Sequence, residues 1–230
     1  MPIFFIILIT VYLGGNTYIF YRGMQALSGL PCGIKISLAV LFWLATLSIV
    51  GTMLTRNIKM PVFLSHTMYE VGTGWLIFTL YMVLFLLCRV PFNYGFILSL
   101  IFTVVLLGYG YYNYRHPKTN TINIALDKPL AGDTKPVKIV AVSDLHLGNG
   151  TGKTALKRYV KMINEQNPDL ILIAGDLIDN SVVPLYTEKM MEELSELRAP
   201  LGVYMVPGNH EYISGIKASA RFIQDTPIQL

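Results

Sequence analysis

Metal-binding side chains follow three successive apolar runs in the second half of the chain. The runs cover residues 137–142, 170–174 and 201–206. The motifs that follow them are Asp144-Leu145-His146, Gly175-Asp176-Leu177-Ile178-Asp179 and Gly208-Asn209-His210-Glu211. Carboxylate and amide oxygens and imidazole nitrogens are common ligands of divalent metals. Three such motifs, spaced about 30 residues apart, indicate a metal site rather than a buried core.

The first two motifs offer different ligand atoms. Asp144 and His146 are two residues apart, so both can face one side and provide an oxygen and a nitrogen to a metal. Asp176 follows a glycine that permits a tight turn, and its two carboxylate oxygens can bridge two metal ions. Asp179 suits an acceptor that orients a ligand, and a plain turn residue is the alternative interpretation.

The third motif combines a neutral ligand with an acid–base group. The amide oxygen of Asn209 can bind a metal, and His210 beside it can point into the same cleft. A histidine in that position can donate a proton or stabilise a developing negative charge.

The elements that position the motifs alternate between strand and helix. Helical spacing over 153–166 and 184–197 separates the three apolar runs, and a short helix over 216–223 followed by a loop ends the chain. This alternation predicts a largely parallel sheet covered by helices. Ligands of such sheets collect at the carboxyl ends of the strands, where all three motifs are predicted to lie.

The first half of the chain has the composition of a membrane region. Only five of the 18 basic and one of the 14 acidic residues fall in 1–114, so the net charge of +4 belongs to this half. Apolar stretches near residues 2–21, 36–54, 71–88 and 94–113 each approach the roughly 20 residues that cross a bilayer. We predict a four-helix transmembrane region over 1–114, a linker over 115–136 with a short strand at 119–126, and an α/β domain over 137–230.

The charges predict the partners and the orientation. The balanced second half argues against nucleic-acid binding, which needs a basic face. Basic residues near the span ends form two groups: Arg22, Lys35 and Arg89 on one side, and Arg56, Lys59, Arg115 and Lys118 on the other. The excess of the second group favours a cytoplasmic second half. We expect an integral protein of a bacterial plasma membrane, with its oligomeric state open.

A glycine-rich loop at 148–152 suggests a second possibility, nucleotide binding. It follows a strand and precedes Lys153 and Thr154, as a phosphate-binding P-loop does. The spacing is one residue too short, because the first glycine of that motif would have to be at Leu147. The loop is therefore better interpreted as a glycine-rich turn.

Residues 137–211 resemble the calcineurin-like metallophosphoesterase superfamily, in its membrane-anchored form with N-terminal transmembrane helices. The family motifs D-x-H, G-D-x-x-D and G-N-H-[DE] are all present. The resemblance implies an αββα two-sheet sandwich and two divalent metal ions, commonly iron, manganese, zinc or magnesium. Asp144 and His146 would bind the first metal, Asp176 would bridge, Asn209 would bind the second, and His210 would act near the leaving group.

This resemblance predicts a membrane-anchored phosphoesterase. Its substrates would be phosphate mono- or diesters, with lipid-linked ones an attractive class, attacked by a hydroxide that two metals activate. The family's later histidine and its G-H-x-H motif do not occur before Leu230, so we expect a chain truncated within the sandwich, with one sheet face uncovered. The alternative is an inactive membrane protein that keeps half of the dimetal site.

Overall fold

Two compact units make up the chain. A computed structural model describes residues 2–88, 94–125 and 136–230. The helical unit contains residues 1–51 and 71–125, and the α/β unit contains residues 52–70 and 126–230. Arg89, which entered the orientation prediction, and most of the linker lie outside the described residues.

The described residues of the first half of the chain form four long helices. They are α1 (Pro2–Ala26), α2 (Cys32–Thr55), α3 (Val62–Leu87) and α4 (Gly95–Arg115). Among the described residues, α2, α3 and α4 are long and apolar enough to cross a membrane, and the span predicted within α1 stays a prediction. Residues 52–70, which include the end of α2 and the start of α3, are called the α2–α3 segment below.

A buried amide connects three helices of the helical unit. The Oδ1 atom of Asn16 accepts hydrogen bonds from Trp75 Nε1 at 2.9 Å, Thr46 Oγ1 at 3.1 Å and Thr79 Oγ1 at 3.2 Å. Interhelical hydrogen bonds of this kind stabilise membrane helices where the hydrophobic effect gives no driving force.

The α/β unit is built on a four-stranded parallel sheet. Its elements are β1 (Ile139–Val142), α5 (Lys153–Asn164), β2 (Leu170–Ala174), α6 (Val183–Thr187), α7 (Met191–Leu194), β3 (Val203–Val206), α8 (Asn209–Ile213), α9 (Ile216–Gln224) and β4 (Ile228–Gln229). The strand order is β1-β2-β3-β4. The predicted β-α-β-α-β order is therefore confirmed, and the carboxyl ends of the first three strands lie side by side.

One predicted helix is two helices in the structure. The segment 184–197 forms α6 and α7, which are separated around Lys189. The backbone of Lys189 has a φ of 54°, in the left-handed region that an α-helix cannot contain. The apolar spacing continues across the break because Leu185, Met190 and Leu194 all point into the core.

Two further predictions at the edges of the domain were wrong. The end of the chain, predicted as a loop after α9, contains β4, which pairs with β3 through Val203 and Tyr204. The alternating segment 119–126 forms no strand over its described residues 119–125, where Ile122 is 82% exposed.

The sheet buries one face and exposes the other. Side chains of β2 and β3 that alternate inward pack with α5 and α9 in a single core, represented by Ile171, Ile173, Val203, Met205 and Phe222. The opposite face carries Ile139 at 52%, Leu172 at 37%, Tyr204 at 41% and Val206 at 61% exposure. The expectation of an uncovered sheet face is confirmed for the described residues.

Candidate metal centre

The loops after β1 and β2 hold the predicted ligands in unusual backbone conformations. Asp144, His146 and Asp176 have φ values of 55°, 45° and 52°. Residues other than glycine adopt the left-handed backbone region at an energetic cost, and residues in this conformation concentrate at functional sites. Backbone hydrogen bonds join the two loops, since His146 N donates to Asp176 O at 3.0 Å and Leu147 N donates to Leu177 O at 2.7 Å.

Two glycines let the loops after β2 and β3 approach closely. A Cβ atom on Gly208 would lie 2.2 Å from Oδ1 of Asp176, and one on Gly175 would lie 2.9 Å from Cα of Gly208. Gly175 also has a φ of 82°, which favours glycine. The Asp176 side chain therefore occupies space that any residue other than glycine at position 208 would fill.

Three of the predicted residues form a group that can hold a metal ion. One ligand atom each of His146, Asp176 and His210 lies within 4.8 Å of the others. Asp144 adjoins this group, with Oδ1 3.7 Å from His146 Nε2 and a side chain that is 65% exposed. Two imidazoles and carboxylates form a donor set that fits a divalent transition metal.

Asp179 lies behind both histidines. Its Oδ1 atom is 3.6 Å from His146 Nδ1 and 3.2 Å from His210 Nδ1. The backbone carbonyl of Asp179 is also 3.3 Å from His210 Nδ1. With Nδ1 facing Asp179, each ring has its Nε2 atom at the opposite edge. The Asp179 side chain is only 8% exposed, and its role in orienting a ligand stays a prediction.

Asn209 occupies a defined position next to this group. It is the first residue of α8, directly after Gly208, and His210 follows it in the same helix. The N–H of His210 donates to Asp176 Oδ1 at 2.9 Å, which ties the start of α8 to the carboxylate predicted to bridge the metals. Metal binding by Asn209 stays a prediction.

Glu211 is a residue of the site that the sequence reasoning did not assign a role. Its carboxylate is fully buried and accepts three backbone N–H groups. Oε2 accepts from Gly208 at 2.7 Å and from Asp176 at 3.0 Å, and Oε1 accepts from Ile178 at 2.9 Å. The sequence feature that could have indicated this role is the position of Glu211 in the G-N-H-E motif. Glu211 thus fastens the loop after β2 to the loop after β3.

Lys153 is engaged elsewhere and does not support a nucleotide site. Its Nζ atom lies 2.6 Å from Glu192 Oε2 and 3.3 Å from Glu193 Oε2. The hydrogen bond to Glu192 raises the pKa of Lys153 and lowers the pKa of Glu192. This ammonium group links α5 to α7 rather than facing a phosphate in the glycine-rich loop.

Two residues of the α2–α3 segment, which belongs to the α/β unit, also reach the site region. The hydroxyl of Tyr69 donates to Asp179 Oδ2 at 3.3 Å, and His66 Nε2 lies 2.6 Å from Glu188 Oε1. The sequence contained no local signal for these contacts, because 110 and 122 residues separate the partners.

Comparisons with known proteins agree with this geometry. Residues 137–228 match the calcineurin-like phosphoesterase family. The chain is 39% identical over 117 residues to a transmembrane protein with metallophosphoesterase domain from Danio rerio, covering 50% of this chain and 26% of that protein. It is 35% identical over 130 residues to an uncharacterized metallophosphoesterase from Helicobacter pylori, covering 55% and 34%.

A relative from Bos taurus, also described as a transmembrane protein with metallophosphoesterase domain, is 37% identical over 116 residues. The matched part of this chain spans 26% to 34% of the length of these three relatives. No solved structure matches the chain. The strand-end motifs, the parallel sheet and these matches identify residues 137–228 as a calcineurin-like metallophosphoesterase domain, and the described residues before it include three membrane-capable helices.

Proposed function

We propose that the α/β unit hydrolyses phosphate mono- or diesters at the ends of β1, β2 and β3, using two divalent metal ions. The observation that carries this proposal is the meeting of His146 and Asp176, whose ligand atoms lie within 4.8 Å of each other and of His210, our candidate acid. Asp144 lies next to His146 in space, and Asn209 directly precedes His210 in the sequence.

The residues present fit the metals that such chemistry needs. Asp144, His146 and Asp176 would hold one ion, and Asp176 and Asn209 would contribute to a second. Imidazole and carboxylate donors favour manganese, iron or zinc over magnesium, which prefers oxygen ligands alone. Divalent ions bound here would lower the pKa of a water molecule and stabilise negative charge on phosphoryl oxygens.

His210 is our candidate for the group that protonates the leaving alkoxide. Its Nδ1 atom faces both the carboxylate and the carbonyl of Asp179, and these contacts orient the ring. Nε2, at the other edge of the ring, would then deliver the proton. Asp179 acts through His210 and so serves as a positioning residue.

A lipid-linked phosphoester is the substrate class we favour. Tyr69, whose hydroxyl contacts Asp179, belongs to α3, a helix that is long and apolar enough to cross a membrane. A site that takes one of its residues from such a helix is well placed to act on a phosphate attached to an apolar chain.

We also propose a cytoplasmic α/β unit. The α2–α3 segment and residues 136–230 belong to the same compact unit, and the rest of α3 and all of α4 lie between them in the chain. Two crossings return the chain to its starting side, whatever α1 does. Arg56, Lys59, Arg115 and Lys118 therefore share one side, which the positive-inside rule assigns to the cytoplasm.

The test is hydrolysis of p-nitrophenyl phosphate and bis(p-nitrophenyl) phosphate by the purified chain with Mn²⁺. We expect Asp176→Asn to lower kcat/KM by more than about 100-fold, beyond the 10- to 100-fold typical of residues outside the ligand set. Asp225→Asn, the same change at an exposed position after α9, is the matched control and should leave turnover intact. Turnover that survives Asp176→Asn contradicts the proposal.

The same assay separates the alternative, an inactive membrane protein with half of the dimetal site. That protein would bind Mn²⁺ in a manner sensitive to Asp176→Asn and yet hydrolyse neither ester. Hydrolysis above the Asp176→Asn background excludes it.

A further inference from the structure

The glycine-rich loop after β1 is a contact surface for the α2–α3 segment. A Cβ atom on Gly150 would lie 2.5 Å from Cε1 of Tyr69, and one on Gly152 would lie 2.5 Å from Cε1 of His66. Neither glycine has a φ in the left-handed region. The close approach of the two rings, rather than backbone conformation, is therefore what excludes larger residues at these positions.

The two rings come from one face of α3. His66 and Tyr69 are three residues apart, so they are neighbours on the helix surface. His66 lies against Glu188, whose Oε1 atom is 2.6 Å from His66 Nε2 and whose Oε2 atom accepts the N–H of Lys153 at 2.8 Å. Glu188 thus anchors this face of α3 to the start of α5.

Tyr69 completes the hydrogen bonding of Asp179. Oδ2 of Asp179 accepts from the Tyr69 hydroxyl at 3.3 Å and from Asn180 Nδ2 at 2.7 Å. Oδ1 of the same carboxylate faces Nδ1 of both His146 and His210. The two oxygens therefore have different partners. Because Oδ2 accepts two hydrogen bonds, its donors fix the orientation of the carboxylate and so direct Oδ1 toward the two histidines.

We propose that Tyr69 is a positioning residue of the phosphoesterase site, and that the glycines at 150 and 152 exist to admit it and His66. This inference rests on the proposed function. Tyr69 acts through Asp179 on the two histidines and touches no reacting atom. Removal of its hydroxyl loosens the Asp179 carboxylate and, with it, the orientation of both imidazoles.

Tyr69→Phe tests the hydroxyl with the ring kept in place. We expect kcat for p-nitrophenyl phosphate or Mn²⁺ affinity to fall by about 10- to 100-fold, the range for partners of metal-site residues, with KM changing less than kcat. Tyr186→Phe removes a hydroxyl from a tyrosine of α6 that packs edge-on against Phe222, and should change neither quantity. Equal effects of the two variants overturn the proposal.

Gly150→Ala tests whether Gly150 leaves the space that the Tyr69 ring occupies. In the wild-type background the added methyl group displaces Tyr69, so the loss should match that of Tyr69→Phe. In a Tyr69→Ala background the space is empty, and Gly150→Ala should cause no further loss. Additive losses would show that Gly150 serves some purpose other than admitting Tyr69, and would overturn that part of the proposal.

A double-mutant cycle keeps this inference separate from the proposed function. Thermal midpoints of the wild type, Tyr69→Phe, Asp179→Asn and the double variant are measured in the same detergent without metal. Coupling between the two positions supports the hydrogen bond whether or not the chain turns over. Additive shifts of the midpoint contradict it. Absence of turnover in the wild type, with coupling retained, would count against the phosphoesterase function alone.

Discussion

The carboxylate of Glu211 accepts a hydrogen bond from the backbone of Asp176 across two strand ends. Glu211 Oε2 accepts the N–H of Asp176 at 3.0 Å, while Asp176 Oδ1 accepts the N–H of His210, the neighbour of Glu211, at 2.9 Å. The left-handed backbone of Asp176 is thereby held by a buried carboxylate. This bond supports the left-handed backbone conformation at Asp176, which costs energy for a residue other than glycine.

Glu211→Gln is expected to destabilise the α/β unit. A glutamine presents an NH₂ group to at least one of the three backbone donors that the carboxylate now accepts. Hydrogen bonds to charged groups contribute roughly 1.5–3 kcal/mol each, so we expect the free energy of unfolding to fall by about that amount. Denaturant titration followed by circular dichroism measures it. The exposed Glu196→Gln is the control, and equal stability of both variants would refute the role of Glu211.

His210→Gln should separate proton transfer from metal binding. Loss of a general acid typically lowers kcat about 10²- to 10⁴-fold where the leaving group is an alkoxide, so we expect that loss for phosphatidic acid, with a Mn²⁺ dissociation constant changed less than about tenfold. Steady-state kinetics and Mn²⁺ titration of one preparation give both quantities. His116→Gln, in the exit segment after α4, is the matched control. A variant that loses Mn²⁺ affinity and kcat in equal measure would make His210 a ligand instead.

Much of the α/β unit follows from local pattern. The apolar run at 170–174 forms β2 with the predicted bounds. A strand buried in a parallel sheet can be recognised from its own continuous apolar residues, without knowledge of its neighbours. β4 was missed because its two paired residues make a strand only where β3 is already in place. The break at Lys189 was missed because the apolar spacing runs through it.

Some residues of the site can also be predicted from local sequence motifs, whereas others depend on contacts between distant parts of the chain. Asp144, His146, Asp176, Asp179 and His210 could be named because each belongs to a short motif at a strand end. Glu211 acts on backbone N–H groups of another loop, which become its partners only after folding. Tyr69 and His66 reach the α/β unit from more than 100 residues away, and no spacing rule connects such positions.

A phosphate monoester in a lipid should be the better substrate. We expect phosphatidic acid in phosphatidylcholine vesicles to give a kcat/KM at least about tenfold above that of p-nitrophenyl phosphate, a gain of about 1.4 kcal/mol in transition-state binding. Phosphate release by the chain reconstituted with Mn²⁺ measures both. The Asp176→Asn variant corrects for contaminating phosphatases. A preference for the soluble ester would contradict the lipid-linked assignment.

The cytoplasmic assignment predicts a labelling pattern in intact cells. With the exposed Cys32 and Cys88 replaced by serine, single cysteines are introduced as Ser28→Cys, between α1 and α2, and Lys157→Cys, on the exposed side of α5. A membrane-impermeant maleimide should label position 28 directly and position 157 only after permeabilisation. The reverse pattern would place the α/β unit outside the cytoplasm.

The most direct test of the central claim is Mn²⁺ binding to the purified chain, followed by electron paramagnetic resonance of the free ion. We predict saturable binding that weakens at least about tenfold in Asp176→Asn and stays unchanged in Asp225→Asn, because only the first residue belongs to the strand-end group. Wild-type affinity in Asp176→Asn, or no saturable binding by the wild type, would contradict a metal centre at the ends of β1, β2 and β3.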